Sequence, residues 1–123
     1  MYRNKIPQHL DYGVTVTLKV MGGKWKPCII DCVATGIQRP TDIQKAIKHT
    51  SLRVINKQLS ELVEYEVLTK EVYEGYPLKV AYHLTAFGAT LLPIIAAMEH
   101  WGDQYAEKVT QLAVNRNESI QMG

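Results

Sequence analysis

The strongest pattern in this chain is an amphipathic repeat that runs from residue 51 to residue 65. Its apolar positions recur at steps of three and four residues, which predicts one buried face of an α-helix: Leu52, Ile55, Leu59, Leu62 and Val63. The opposite face carries Arg53, Asn56, Lys57 and Ser60. Thr50 or Ser51 can cap the first turn, because a hydroxyl accepts a hydrogen bond from an unpaired backbone N–H. Alone, this pattern is more typical of an ordinary surface helix than of a binding site.

Three shorter helical patterns precede this repeat. The first covers residues 12–21 and is ended by Gly22 and Gly23. The second covers residues 24–34, with Pro27 in its first turn. Its predicted buried stripe is Trp25, Cys28, Ile29, Cys32 and Val33, which leaves Lys24, Lys26 and Asp31 in solvent. The third covers residues 41–48, starts at a capping box of Thr41 and Gln44, and packs through Ile43 and Ile47.

The pattern changes from helical to extended after Tyr65. Residues 67–73 are rich in β-branched and aromatic side chains and predict a strand. Glu74-Gly75-Tyr76-Pro77 supplies turn residues, and residues 78–84 predict the returning strand. Two helices joined by a short polar turn and followed by a hairpin form a winged helix-turn-helix. The fold class predicted here is therefore mainly α (α+β).

A last, long helix is predicted to start at a Thr85 cap. Its apolar positions repeat at helical spacing, and Pro93 is expected to bend it: Phe87, Leu91, Ile94, Ile95, Met98 and Trp101. A terminal helix with this much apolar surface needs a partner, and the simplest partner is a second copy across a two-fold axis. The predicted dimer interface consists of Leu18, Leu91, Ile94, Ile95, Met98 and Trp101.

Charge is distributed unevenly along the 123 residues. Residues 1–57 hold ten Lys or Arg against three Asp or Glu, a balance of +7, whereas residues 58–123 hold four against nine, a balance of −5. Such asymmetry is a weak indication of a polyanionic partner. Together with the helix-turn-helix order, it favours DNA. The candidate DNA contacts are Arg39, Thr50, Ser51, Arg53, Asn56, Lys57 and Ser60, with Lys70, Tyr76 and Lys79 on the wing.

Other classes of function find little support. Cys28 and Cys32 lie four residues apart on one helix face, so we expect reduced thiols in a packed interior rather than a disulfide or a metal site. The chain has no glycine-rich phosphate loop, nucleophile elbow or clustered acid–base pair, so no catalytic residues and no cofactor are predicted. No membrane-spanning run or signal peptide is predicted, which favours the cytoplasm. We expect a single domain with its core at about residues 12–113 and with flexible ends at 1–10 and 114–123.

Several motifs in this order resemble the HxlR-type bacterial regulators, winged-helix relatives of the MarR group. They are Gly22-Gly23-Lys24-Trp25, Ser51-Leu52-Arg53 followed by Leu59-Ser60-Glu61-Leu62, and the block from Tyr82 to Gly88 that continues through Leu91, Pro93 and Trp101-Gly102. The resemblance covers about residues 12–102. It implies a homodimeric transcription factor without catalytic activity that binds a roughly palindromic operator and dimerises through terminal helices.

The chain departs from the family pattern at three places. Tyr12 stands where many sensing members have a cysteine, so oxidants are expected to change operator affinity little. Arg39-Pro40 replaces a common Arg-Phe, so the first small strand is expected to be short or displaced. Glu66 replaces the glycine that usually follows the recognition helix, so another closure of the helix end is needed.

Two alternatives stay open at this point. One is a ligand-gated regulator of the same fold, whose unidentified small-molecule effector would bind an aromatic pocket around Tyr12, Trp25 and Trp101. The other is a winged-helix protein-interaction module that does not bind DNA.

Overall fold

The computed structural model describes the backbone of residues 12–122 and the side chains of residues 12–117. Its elements are α1 (Gly13–Met21), α2 (Lys26–Ala34), α3 (Pro40–Ile47), α4 (Leu52–Glu64), β1 (Leu68–Tyr73), β2 (Lys79–Leu84), α5 (Ala86–Ala89) and α6 (Leu92–Met122). The chain divides into two compact units, Met1–Leu92 and Pro93–Gly123. The predicted flexible arm at residues 1–10 lies outside the described residues.

The core of the first unit forms where α2, α3 and α4 pack against one another and against the sheet. Its buried residues are Ile29, Ile30 and Val33 of α2, Ile43 of α3, Ile55, Leu59 and Leu62 of α4, and Val67, Leu68, Ala81 and Tyr82 of the hairpin. The apolar face predicted for α4 is thus confirmed, with Leu52 and Val63 half-buried at its margins. Burial of these aliphatic side chains supplies the main stabilisation of the unit.

The start of α3 differs from the prediction. The helix begins at Pro40, one residue before the expected Thr41, and no side chain caps it. Proline favours the first helical position because its fixed φ suits the helix and its missing N–H needs no partner there. Thr41 therefore lies inside the first turn and cannot act as a cap. Gln44, the other half of the predicted capping box, instead donates from Nε2 to the carbonyl of Thr50 at 3.3 Å.

The second helix is rotated relative to the predicted stripe. Lys26, expected in solvent, is 9 % exposed, and its Nζ lies 3.1 Å from Oε1 of Glu61 in α4. Cys28, expected in the interior, is exposed, and Cys32 is half-buried. The buried residues of α2 are Ile29, Ile30 and Val33 together with Lys26, so the prediction of packed thiols is wrong for Cys28. Both cysteines are free thiols in this structure.

The C-terminus of α4 is closed by a left-handed residue that is not glycine. Glu66 has φ +60°. Its N–H donates to the carbonyl of Val63, and the N–H of Val67 donates to the carbonyl of Leu62, both at 2.9 Å. These two bonds form a Schellman motif, which satisfies carbonyls that the helix end leaves unpaired. The motif that glycine usually supports is therefore present, with a glutamate in the strained position.

This arrangement predicts that Glu66→Gly stabilises the protein. A left-handed backbone is strained for an L-residue but not for glycine, so the substitution removes this strain. Glycine also gives the unfolded chain more conformational freedom, which offsets part of the effect. The free energy of unfolding should therefore rise by about 0.5–1 kcal/mol. Urea unfolding would measure it. Glu64→Gly, two residues earlier in the last helical turn, is the matched control and should destabilise by about 1 kcal/mol. A loss of stability in Glu66→Gly would contradict this account.

The hairpin matches the sequence prediction closely. β1 and β2 pair antiparallel, with Leu68 opposite Leu84 at the base and Tyr73 opposite Lys79 towards the turn. Within the described residues the sheet has two strands. The Gln38 carbonyl accepts a hydrogen bond of 2.9 Å from the Tyr82 N–H. This single bond stands in the place of the short first strand whose displacement was expected from Arg39-Pro40.

Thr85 and Gly88 form the junction after the wing. The Thr85 hydroxyl accepts from the N–H of Gly88 at 2.8 Å and lies 2.6 Å from the carbonyl of Glu66 and 3.1 Å from that of Val67. A Cβ on Gly88 would lie 2.2 Å from the Val67 carbonyl oxygen, so this position requires glycine. The close approach explains the Leu-Thr-Ala-Phe-Gly segment of the sequence motif.

The long last helix predicted from Thr85 is interrupted. Thr85 caps only the short α5, and α6 begins at Leu92 with Pro93 in its first turn. A proline inside a helix clashes with the carbonyl four residues earlier, which here belongs to Ala89, the last residue of α5. Pro93 thus begins a helix instead of bending one. The backbone is helical through Met122, and the flexibility predicted for residues 114–123 stays a prediction. Among the described residues, no helix is both long and apolar enough to cross a membrane.

Candidate nucleic-acid interface

The outward face of α4 presents a row of polar side chains. Arg53, Asn56, Lys57 and Ser60 are all exposed, as predicted from the helical spacing. Ser51 is the cap residue, and its Oγ accepts from the N–H of Val54 at 3.2 Å. This face offers guanidinium, amide, ammonium and hydroxyl groups, which match base edges and phosphates in a major groove.

The last turn of α3 and the turn that follows it add exposed basic residues that were not among the predicted DNA contacts. Lys48 has φ +70° and ends α3, and its N–H donates to the Gln44 carbonyl at 2.9 Å. Lys45, Lys48 and His49 are exposed, whereas Thr50, a predicted DNA contact, is half-buried. The dense basic composition of residues 45–57 was the signal that could have identified Lys45 and Lys48.

Helix α4 is fixed from its inner side by both apolar and ionic contacts. Ile55, Leu59 and Leu62 are fully buried, which sets the rotation of α4 about its axis. The ion pair between Lys26 and Glu61 ties the same helix to the start of α2, where the Lys26 side chain is only 11 % exposed. A buried ammonium needs a partner because an unpaired charge in the interior is costly.

The wing presents the remaining predicted contacts to solvent. Lys70 on β1, Lys79 on β2 and Tyr76 in the turn are exposed, and Tyr76 is as exposed as in an extended chain, at 101 %. Arg39 is exposed at the residue before α3. Lys79, opposite Tyr73, and Lys70, opposite Tyr82, lie on different faces of the hairpin, so the wing does not bring the two lysines together.

One face of the wing carries a chain of side-chain hydrogen bonds. Glu71 Oε1 accepts from the Tyr73 hydroxyl at 2.7 Å and lies 2.8 Å from His83 Nε2. The other ring nitrogen, Nδ1, lies 3.2 Å from Nε2 of Gln38. The hydrogen bonds from Tyr73 and His83 lower the pKa of Glu71, and the carboxylate in turn raises the pKa of Tyr73, which the positive charge of Arg39 partly offsets.

Two sets of residues bear on regulation: the thiols of α2 and the aromatic side chains of the predicted effector pocket. Burial, with the nearby Asp31 and Cys28, raises the pKa of the Cys32 thiol, which lowers its thiolate fraction and hence its reactivity. In the proposed aromatic pocket, Tyr12 is exposed, and Lys24 Nζ lies 5.0 Å from the centre of the Trp25 ring. Trp101 lies 5.0 Å from Tyr105, centroid to centroid. The small-molecule effector stays a prediction.

Apolar side chains remain uncovered on both terminal helices. Leu18 of α1 is 55 % exposed, and the exposed stripe of α6 comprises Ile94, Met98, Trp101, Tyr105, Val109 and Leu112. Ile95, predicted in the dimer interface, is only 6 % exposed within one chain, and Leu91 is half-buried. The surface available to a partner therefore lies to one side of Ile95.

The HxlR-like helix-turn-helix family profile matches residues 20–110, which contain the helix-turn-helix and the wing. The chain belongs to this family. It is 37 % identical over 103 residues to YdeP, an uncharacterised HTH-type transcriptional regulator of Bacillus subtilis strain 168. The aligned region covers 84 % of this chain and 80 % of YdeP. The family and these relatives are transcriptional regulators and not enzymes, in agreement with the sequence prediction.

Solved structures of HxlR-like regulators have the same winged-helix fold. The redox regulator HypR in its reduced form superposes on this chain with a TM-score of 0.73 at 34 % sequence identity. The superposed region covers 80 % of this chain and 97 % of HypR. The regulator YtcD superposes with a TM-score of 0.72 at 30 % sequence identity, over 79 % of this chain and 99 % of YtcD. The chain is thus a helix-turn-helix transcriptional regulator of the HxlR family, with the winged-helix fold that the sequence predicted.

Proposed function

We propose that this HxlR-family regulator binds double-stranded DNA as a homodimer at a pseudo-palindromic operator. In this proposal α4 enters the major groove, and the wing lies along the backbone or the minor groove. A two-fold axis in the protein requires two related half-sites in the DNA, about one helical turn apart.

The observation that carries the proposal is the division of α4 into two faces. Ile55, Leu59 and Leu62 fix one face in the core, while Arg53, Asn56 and Lys57 are exposed on the other. A helix held this firmly can present its outer side chains in a constant geometry, which base recognition needs. Arg53 suits the O6 and N7 acceptors of guanine, and Asn56 suits the N6 and N7 of adenine.

The homodimer is supported by the exposed apolar stripe of α6. Met98 is 47 % exposed and Trp101 59 % exposed, and four further large apolar residues continue the stripe along the helix. Contiguous apolar surface of this kind marks an interaction site. A second copy presents the same stripe, so a two-fold contact is self-complementary.

Selection of bound DNA from a random pool tests the proposal directly. We expect the recovered sequences to share an inverted repeat and their affinity to fall as salt rises. Recovery of no common sequence, together with salt-independent binding, would favour the protein-interaction module instead.

The wing is expected to contribute affinity without sequence preference. Lys79→Ala should weaken binding to the operator and to unrelated DNA by similar factors, because the ammonium contacts phosphate. It should reduce the slope of log affinity against log salt by about 1 for each subunit, or about 2 for the dimer. Titrations at several salt concentrations would measure this. Lys108→Ala, which removes the same charge from α6, should leave the slope unchanged. A selective loss of operator binding in Lys79→Ala would instead assign Lys79 to base contact.

A further inference from the structure

The carboxylate of Glu71 lies on the face of the wing that also carries Lys79. In an antiparallel pair, residues directly opposite share a face, so Tyr73 and Lys79 lie together, as do Thr69 and His83. Glu71 lies between these pairs on the same strand face, because side chains alternate along a strand. Arg39 directly follows Gln38, whose carbonyl accepts a hydrogen bond of 2.9 Å from the Tyr82 N–H, so it lies next to β2 as well.

Such a carboxylate is unfavourable for DNA binding if it acts through its charge alone. A negative side chain beside Lys79 and Arg39 offsets part of their attraction for phosphates, so its removal would strengthen binding. Glu74, three residues along the chain in the turn, makes no hydrogen bond or ion pair with the described residues. It is therefore an example of a carboxylate that acts through its charge alone.

Glu71 differs from Glu74 because one of its carboxylate oxygens accepts two side-chain hydrogen bonds. One oxygen, Oε1, receives both the Tyr73 hydroxyl and His83 Nε2, at 2.7 and 2.8 Å. An ionised carboxylate can only accept, so Nε2 of His83 is the donor, and Nδ1 is left to accept from the Gln38 amide. The contacts thus run without interruption from β1 across β2 to Gln38, the residue before Arg39.

We propose that Glu71 is a positioning residue for DNA binding, which holds Tyr73 and His83 in place and through Gln38 fixes the wing to the segment that carries Arg39. This inference rests on the proposed function. The Gln38 segment is attached to β2 by its own backbone as well, since its carbonyl accepts from the Tyr82 N–H. The side-chain contacts keep this attachment in register, so Arg39 and Lys79 reach the DNA in one fixed arrangement.

Replacing each glutamate by alanine separates positioning from charge, because the two accounts predict opposite signs. Glu71→Ala should weaken operator binding about three- to tenfold for each half-site, because two exposed hydrogen bonds are lost, each near the low end of the usual net contribution. Glu74→Ala should bind as tightly as the parent or more tightly, because it removes only a negative charge. Both variants should keep the parent melting temperature, since both side chains are exposed.

Glu71→Gln tests whether the acceptor is what matters. The amide oxygen can accept from Tyr73 and His83 as the carboxylate does, so this variant should bind at least as tightly as the parent. A Glu71→Gln variant as weak as Glu71→Ala would mean that the charge, not the hydrogen bonding, acts in binding, which overturns the positioning role.

Hydrogen exchange of the Tyr82 amide provides a measurement without DNA. In Glu71→Ala this amide should exchange faster, because the contacts that support Gln38 are lost, whereas in Glu74→Ala it should exchange at the parent rate. If the parent binds DNA and the Glu71→Ala variant binds it equally well, the role of Glu71 is overturned and the proposed function is not. A parent with no salt-dependent DNA binding would overturn the proposed function, and the role of Glu71 in it.

Discussion

Replacement of Arg53 by alanine should weaken operator binding by about 1–3 kcal/mol for each half-site and relax the preference at one base pair of that half-site. The guanidinium is exposed in the first turn of α4, behind the Ser51 cap. At that position it can form two parallel hydrogen bonds to guanine, which no shorter or apolar side chain can replace. A repeated selection with the variant would show which position loses its preference.

The matched control for this prediction is Arg116→Ala on α6, which removes an exposed guanidinium that is not among the proposed contacts. It should leave operator affinity and preference unchanged. Both variants should melt at the parent temperature, because neither side chain is buried. If Arg53→Ala kept the affinity and the base preference of the parent, α4 would be a plain surface helix and the interaction-module alternative would gain support.

Met98→Asp should convert the dimer to monomers. A two-fold interface contains the substituted side chain of both chains. A carboxylate buried without a partner costs more than about 2 kcal/mol per copy. The dissociation constant of the dimer should therefore rise at least about a thousandfold. The parent is expected to be a dimer at micromolar concentration. Analytical ultracentrifugation measures both, and a parent that sediments as a stable monomer would contradict the proposed interface.

The choice of position matters for this test. Ile95 is already buried within one chain, so an aspartate there would damage the fold and the association together. Ala96 is exposed and, at 100° per residue, lies on the side of α6 away from Met98. Ala96→Asp therefore adds the same charge to the same helix and should leave the dimer intact. If both variants dissociate the dimer equally, the cause would be charge repulsion between the chains and not the loss of contact at the apolar stripe of α6.

The sequence was sufficient to predict those elements whose signals are local. The recognition helix has an uninterrupted apolar repeat and a hydroxyl cap, and the wing has two β-rich segments around a turn sequence. In each case propensity, periodicity and turn chemistry agree, which is why the boundaries were predicted to within one or two residues.

The errors occurred where a local signal had a competitor. Pro40 determined the start of α3 and left Thr41 without a capping role. The sequence pattern predicts a bend at Pro93, whereas a new helix that begins next to it avoids the clash with the Ala89 carbonyl altogether. In each case the backbone constraint of proline outweighed the side-chain pattern.

Other features of the site depend on residues that are distant in sequence. Lys26 is buried because Glu61, on another helix, supplies its counter-charge, and a helical stripe drawn from the hydrophobic residues alone rotates α2 towards Cys28. The side-chain contacts of Glu71 involve Gln38 and His83, which only the folded chain brings to one face. No pattern along a single element contains this information.

The junction at Thr85 has a consequence for how such regulators can diversify. Because the Thr85 hydroxyl lies against the carbonyls of Glu66 and Val67, the hairpin leaves and re-enters the protein at one anchored point. Segments whose two ends are fixed together tolerate insertion, deletion and exchange, since the cost of a longer loop grows only slowly with its length. The turn at residues 74–78 can therefore be exchanged between relatives without moving α4. In the proposed DNA complex, such an exchange would alter contacts with flanking DNA and leave the position of α4 in its groove unchanged.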